Sequence, residues 1–229
     1  VLNGWNDKGT TEDELFELAS LMRTRMKRIV SRHETFVDVV GTGGSESKTF
    51  NVSTAAAFII AGSGLPVAKH GNRAATSSSG SADALDELGI GLDMGQADAK
   101  RHLDDIGICF MFAPRYHSLS HHLAKARRSI GKPTIFNNLG PLCNPASAPH
   151  QVIGVWHENL LETTANVLAR LGTKRSWVVY GENGLDEIAL TGKTQVAEIN
   201  DGWVMKFSIS AGDFGVDGVS DEVPTNCSA

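Results

Sequence analysis

The stretch DVVGTGGSESKTFNVST, residues 38–54, decides how this chain is interpreted. An apolar run ends in three glycines within four positions, and hydroxyl side chains and an asparagine follow. Glycine lets the backbone turn tightly and bring its N–H groups close to an anion, and a helix start adds favourable partial charge. The pattern therefore predicts a strand, a turn and a helix that together could hold a phosphate.

Two familiar phosphate motifs do not fit this stretch. A dinucleotide-binding fingerprint would need glycine where Glu46 stands, and the chain has no GxxxxGK[ST] string of a nucleotide P-loop. Taken alone, the GTGG turn is as typical of a structural turn as of a ligand loop.

Short apolar runs and helical patterns alternate along the chain from Phe36 onward. This alternation predicts an α/β core with a largely parallel sheet. The predicted strands are 36–40, 65–71, 108–113, 151–156 and 175–181, and the predicted helices are 53–64, 80–89, 116–131 and 159–172.

An earlier helix is predicted from the hydroxyl and acidic residues at 10–14, because hydroxyl caps and acids suit a helix start. Basic residues gather where this helix would end, and cations are favourable there. We interpret them as a solvated helix end rather than a nucleic-acid patch; they are Arg23, Arg25, Lys27, Arg28 and Arg32.

The composition is ordinary for a globular protein: 229 residues, 41% hydrophobic and 21% charged, with a formal net charge of −5. An acidic balance argues against nucleic acid as the main partner. Three cysteines lie far apart without a CxxC pair, which predicts reduced thiols in a cytoplasmic protein. No apolar stretch reaches the roughly 20 residues of a membrane span, so no membrane partner is expected.

A second donor-rich segment is KHGNRAATSSSGSAD, residues 69–83. A cation followed by amide and hydroxyl donors near a helix start is what a phosphate ester or pyrophosphate needs. A third element is the adjacent pair Asp186 and Glu187, because carboxylates are suitable ligands for Mg²⁺. An isolated acidic pair is more often surface charge, so its weight depends on the two loops.

Several motifs together resemble the anthranilate phosphoribosyltransferase family, in the same order and over about residues 10–215. The motifs are GTGG at 41–44, FNVST at 50–54, KHGNR at 69–73, GSAD at 80–83, FNNLGPL at 136–142 with Asn144 and Pro145, and Asp186 with Glu187.

The resemblance implies transfer of the 5-phosphoribosyl group from PRPP to anthranilate, with release of pyrophosphate and dependence on Mg²⁺, two ions per site being expected. It also implies a homodimer, and a small helical domain beside a larger α/β domain with a central, largely parallel sheet. Residues 1–35, with helices of 97–131, would be the remainder of a helical domain, and residues 36–229 an α/β domain whose C-terminal part is incomplete.

Site residues follow from the resemblance position by position. Lys69, Asn72 and Arg127 are implied as catalytic, and His70, Asn72, His117 and Arg127 as the anthranilate site. Ser53, Asp186 and Glu187 would bind Mg²⁺. The PRPP residues would be Gly41, Thr42, Gly43, Gly44, Thr49, Asn51, Ser53, Thr54, Lys69, Ser77, Ser79 and Ser81.

Two other functions remain open at this stage. One is a non-catalytic relative with the same fold that binds nucleic acid. The other is an enzyme similar to pyrimidine nucleoside phosphorylase, although its phosphate signature differs from KHGNR.

Overall fold

The computed structural model describes residues 2–43, 50–74, 79–118, 129–130 and 134–216. The helices are α1 (Leu2–Lys8), α2 (Glu12–Arg25), α3 (Val52–Gly62), α4 (Ser81–Glu87), α5 (Gln96–Ile106), α6 (Ala113–Tyr116), α7 (Ile135–Leu142) and α8 (Asn159–Arg170), with 3₁₀ turns at Glu182–Gly184 and Ala211–Phe214. The strands are β1 (Val37–Gly41), β2 (Val67–Gly71), β3 (Ile108–Phe112), β4 (His150–Gly154), β5 (Arg175–Gly181), β6 (Thr194–Asn200) and β7 (Trp203–Ile209).

The strands form one seven-stranded sheet in the order β3-β2-β1-β4-β5-β6-β7. Strands β3, β2, β1, β4 and β5 run parallel, whereas β6 and β7 pair antiparallel with their neighbours. The predicted α/β class with a largely parallel sheet is therefore confirmed. Because β1, β2 and β4 all end on the same edge, the loops that follow them meet there.

The β6–β7 hairpin is not among the predicted strands. Its two-residue turn is Asp201 and Gly202, both with positive φ (46° and 87°). An Asp-Gly pair between apolar runs is a strong hairpin signal because both residues adopt this conformation readily. The sequence carries this signal, although the prediction did not include it.

Helix α2 forms as predicted, with a capping box between Thr11 and Glu14. Its buried residues Leu15 and Ala19 pack into the core cluster that α7, α8 and the β4–β6 strands share. The interpretation of its basic end as fully solvated was wrong for one residue. Arg23 donates to the carbonyl oxygens of Leu142 (2.7 Å) and Leu171 (3.2 Å) at the ends of α7 and α8.

The predicted helix 116–131 is correct only in part of what the structure describes. Tyr116 ends the short helix α6, and His117 has extended backbone (φ −115°, ψ 121°) instead of continuing a helix. Residues 129–130 are helical, and 119–128 and 131–133 lie outside the described residues. Tyr116 is buried in the cluster formed by α5, β2 and β3.

Within the described part of the chain, no helix combines the length and apolar character that crossing a bilayer would require.

Candidate active site

The site is built where β1 and β4 end side by side. The strand order reverses between these two strands, and ligands of open α/β sheets bind at such a point. Gly41 pairs with Gly154 in register, and a Cβ on Gly154 would lie 1.6 Å from the carbonyl oxygen of Asp186. Gly43 N–H donates to Asp186 Oδ2 (3.3 Å), and Thr42 Oγ1 donates to the carbonyl of Gly154 (3.0 Å). The absence of side chains on these glycines thus lets the acidic loop pack directly on the GTGG turn.

Lys69 brings a cation to the same region from β2. Its side chain is 3% exposed, and its ammonium donates to the carbonyl of Val39 (2.6 Å) and to Ser53 Oγ (3.2 Å). Burial lowers the pKa of Lys69, and the negative charges of Asp38 and Glu187 oppose this shift. The ammonium therefore links the first turn of α3 electrostatically to the acidic loop.

Asp186 and Glu187 are partly buried carboxyl groups next to each other. Burial raises the pKa of Asp186. Burial raises the pKa of Glu187 to about 8, with further repulsion from Asp186 and partial relief from Lys69. Both carboxylates would gain from a further cation in the site.

The part of the second donor segment that leads into α4, from Ser79 onward, packs against the end of β2. A Cβ on Gly71 would lie 2.2 Å from Ser81 Oγ, so the start of α4 packs directly on this strand end. Gly80 is equally confined by backbone atoms 2.4–2.6 Å from its would-be Cβ. Asn51 Nδ2 donates to Ser79 Oγ (3.1 Å), which joins the start of α3 to this loop.

Asn72 and Arg73 are neighbours that differ in their side-chain contacts. Asn72 is exposed beside the end of β2. The Arg73 guanidinium pairs with Asp83 (2.9 Å) and Asp86 (2.8 Å) on α4. The structure therefore assigns Arg73 to holding α4.

His70 and His117 form a buried pair beneath the sheet edge. Their Nε2 atoms are 3.2 Å apart, and His70 Nδ1 is 3.2 Å from the carbonyl of Gly140. A carbonyl can only accept, so His70 carries its proton on Nδ1, and its unprotonated Nε2 faces His117. Burial, with a smaller contribution from His117, lowers the pKa of His70 to about 3. Burial lowers the pKa of His117 too.

The sequence-based prediction did not include the residues that support this histidine pair. Asp38 is fully buried in β1 and contacts Asn144, which follows α7 (Nδ2 to Oδ2, 2.7 Å). An acidic residue inside an otherwise apolar strand was the available signal, because a buried carboxylate needs polar partners. The role of Gly154 was also missed, since nothing local to it predicts the approach of Asp186.

Four of the expected site residues, Gly44, Thr49, Ser77 and Arg127, lie outside the described residues. Thr54 lies in the first turn of α3 with its hydroxyl buried and, among the described residues, without a hydrogen-bond partner. The structure brings together the remaining expected groups around the ends of β1, β2 and β4.

Comparison with known proteins gives the family. The profile described as "Glycosyl transferase family, a/b domain" matches residues 33–223. The chain belongs to this family. Its α/β core is therefore a glycosyl transferase domain.

Individual relatives are consistent with this assignment. The chain is 48% identical to the anthranilate phosphoribosyltransferase of Desulforamulus reducens over 95% of this chain and 63% of that protein. A crystal structure of the enzyme of this name from Thermus thermophilus superimposes with a TM-score of 0.86 at 36% identity, covering 96% of this chain and 65% of that one. The Saccharomyces cerevisiae enzyme in complex with PRPP and Mg gives a TM-score of 0.79 at 33% identity, covering 90% and 56%. The same yeast enzyme has been solved with 4-fluoroanthranilate. The chain thus spans between 56% and 65% of the length of these relatives.

Proposed function

We propose that the complete protein containing this chain is an anthranilate phosphoribosyltransferase of tryptophan biosynthesis. It transfers the 5-phosphoribosyl group of PRPP to the amine of anthranilate and releases pyrophosphate. The observation that carries this proposal is the meeting of two donor loops, a buried lysine and an acidic pair at one edge of the sheet. The names of the relatives supply the substrates.

The PRPP site is the edge between β1, β2 and β4. The start of α3 lies at this edge through the contacts of Asn51 with Ser79 and of Ser53 with Lys69, and the partial positive charge of a helix N-terminus favours an anion. Asn51, Ser79 and Ser81 surround the second loop with amide and hydroxyl groups. The complete set proposed for PRPP is Gly41, Thr42, Gly43, Gly44, Thr49, Asn51, Ser53, Thr54, Lys69, Ser77, Ser79 and Ser81.

The residues present fit Mg²⁺. Among the described residues no group of three or more His, Cys, Asp or Glu side chains could enclose a metal. Mg²⁺ does not need such a cage, since it is commonly held by one or two carboxylates together with substrate phosphates and water. Asp186, Glu187 and Ser53 would hold it, and a bound cation would offset the burial and the repulsion from Asp186 that raise the pKa of the Glu187 carboxyl. When bound, Mg²⁺ would offset the negative charge of the leaving pyrophosphate. The number of ions, two, remains a proposal.

The chain's own residues supply positioning and charge. Lys69 is held in place by its contacts to Val39 and Ser53, so its ammonium is already oriented for the charge that develops on pyrophosphate. Tight positioning of two bound substrates lowers the barrier further. His70, Asn72, His117 and Arg127 are proposed for anthranilate, with Arg127 meeting its carboxylate; Lys69, Asn72 and Arg127 are proposed as catalytic.

Domain division and assembly are further proposals. Residues 1–35, with helices of 97–131, would form the helical domain and residues 36–229 the α/β domain. The complete protein would be a homodimer located in the cytoplasm.

The test is turnover by the complete protein with PRPP and Mg²⁺, followed as loss of anthranilate fluorescence. Arg127→Ala should raise KM for anthranilate by about 10- to 100-fold, the scale of a lost hydrogen bond to a charged group. KM for PRPP should stay within about twofold of the wild type by the same reasoning. Arg128→Ala is the matched control and should leave both values unchanged. Absence of turnover in the wild type, or equal effects of Arg127→Ala on both KM values, would contradict the proposal.

A further inference from the structure

Asp38 is a buried carboxylate that the reaction described above does not use. It is the second residue of β1, and its side chain is 0% exposed. Placing a carboxylate there is costly unless each oxygen finds a donor, whereas an apolar residue would pack without that cost. Its two oxygens do find donors on two different elements. Oδ1 accepts from the backbone N–H of His70 (3.2 Å) and Oδ2 from Asn144 Nδ2 (2.7 Å).

Asn144 connects this carboxylate to α7. It stands two residues after the helix, and its own Oδ1 accepts from the N–H of Ala146 (2.8 Å), so its amide orientation is fixed. Helix α7 carries Gly140, whose carbonyl faces the ring of His70. Asp38 therefore holds the backbone of His70 with one oxygen and the segment that follows Gly140 with the other.

We propose that Asp38 is a positioning residue for the acceptor side of the site, which fixes the His70 ring between Gly140 and His117. It touches neither substrate. It acts by keeping β2 and α7 at the distance that the hydrogen bond between the His70 ring and the Gly140 carbonyl requires. This role rests on the proposed function only where turnover is concerned.

Asp38→Asn tests the role with a change of almost no volume. The new side chain can still accept from His70 through its oxygen, but its NH₂ group then faces the NH₂ group of Asn144, so one connection is lost. In the complete protein with ¹⁵N-labelled histidine, the wild-type NMR spectrum should show His70 protonated on Nδ1. In Asp38→Asn, the His70 signals should shift towards a mixture of the two tautomers. Because Asp38→Asn also removes a negative charge beside Lys69, the two KM values are compared in Asn144→Ser, which keeps that charge. There KM for anthranilate should rise about tenfold, with KM for PRPP within about twofold.

Gln151→Met is the matched control. Gln151 is also buried (2% exposed) and also donates to α7, through Nε2 to the carbonyl of Pro141 (3.0 Å), but it does not contact His70. It should leave the His70 signals unchanged. If Asp38→Asn does not fold, Asn144→Ser should give the same shift, since it removes the same connection together with the donation of Asn144 Nδ2 to the carbonyl of Ala68 in β2 (2.8 Å).

Three results would overturn the proposal. They are a wild-type His70 protonated on Nε2, unchanged His70 signals in folded Asp38→Asn or Asn144→Ser, and an equal shift in Gln151→Met. The NMR result stands whether or not the protein turns over anthranilate. Failure of the proposed function therefore appears as absent wild-type turnover, and failure of the Asp38 role as unchanged His70 signals.

Discussion

His70 is a histidine that the fold holds in its neutral form. Its pKa falls from an ordinary 6.5 to about 3, mainly because the ring is buried. Between these values the unfolded chain binds a proton that the folded chain does not, so stability is present above pH 6.5 and is lost as the pH falls towards 3. The pKa of Asp38 is shifted in the opposite direction, and its effect on stability changes with pH in the opposite way. Burial raises its pKa from 3.8 to about 6, so its contribution to stability is greatest at low pH and declines as the pH rises towards 6.

The pH dependence of unfolding tests both assignments together. His70→Gln should reduce the difference in the free energy of unfolding between pH 7 and pH 5 by roughly 2 kcal/mol, since each pH unit below 6.5 accounts for about 1.4 kcal/mol. Asp38→Asn should increase the same difference by roughly 1 kcal/mol. Urea unfolding at the two pH values measures both. If the free energy of unfolding changed with pH equally in His70→Gln and in the wild type, His70 would not be held neutral.

At the scale of elements, Arg23 joins three helices. It belongs to α2, and its guanidinium caps the C-terminal carbonyls of α7 and α8. A cation at two helix ends is favourable because it satisfies carbonyls that have no partner within the helix and complements both dipoles. Burial lowers the pKa of Arg23, which reflects the cost of enclosing this charge.

Arg23→Met should therefore destabilise the fold by about 2 kcal/mol, the scale of hydrogen bonds to a charged group. Arg25→Met, two residues further along the same helix end, is exposed and should change stability by less than about 0.5 kcal/mol. Urea unfolding of the two variants gives the comparison. A similar effect of both substitutions would mean that the basic end of α2 acts only as a solvated face.

Local signals were sufficient to predict most elements, and long-range pairing was not predictable. The start of α2 follows from Thr11 and Glu14 because a capping box involves neighbours only three residues apart. The contact between Asp38 and Asn144 spans 106 residues, and that between Arg23 and Leu171 spans 148. No pattern within a window of the sequence specifies such partners. The candidate site was therefore predicted as a set of loops. The buried contacts that support it, such as that between Asp38 and Asn144, appeared only in the structure.

At the scale of the whole molecule, the strand order determines which residues meet at the candidate site. The parallel order β3-β2-β1-β4-β5 puts the end of β1 beside the end of β4, although more than 100 residues separate them. Gly154 then lets the Asp186 backbone approach the turn that follows β1. The proposed function requires this contact to form the Mg²⁺–PRPP side of the site.

Calorimetric titration of the complete protein with PRPP, with and without Mg²⁺, tests that claim most directly when Gly154→Ala is compared with Gly95→Ala. A Cβ on Gly154 would meet the Asp186 carbonyl at 1.6 Å, whereas a Cβ on Gly95 would have no atom within 4 Å. We expect wild type and Gly95→Ala to bind PRPP in a Mg²⁺-dependent way. Folded Gly154→Ala should bind at least about tenfold more weakly, because displacement of the acidic loop removes charged ligands. Equal Mg²⁺-dependent affinity in all three proteins would contradict the account.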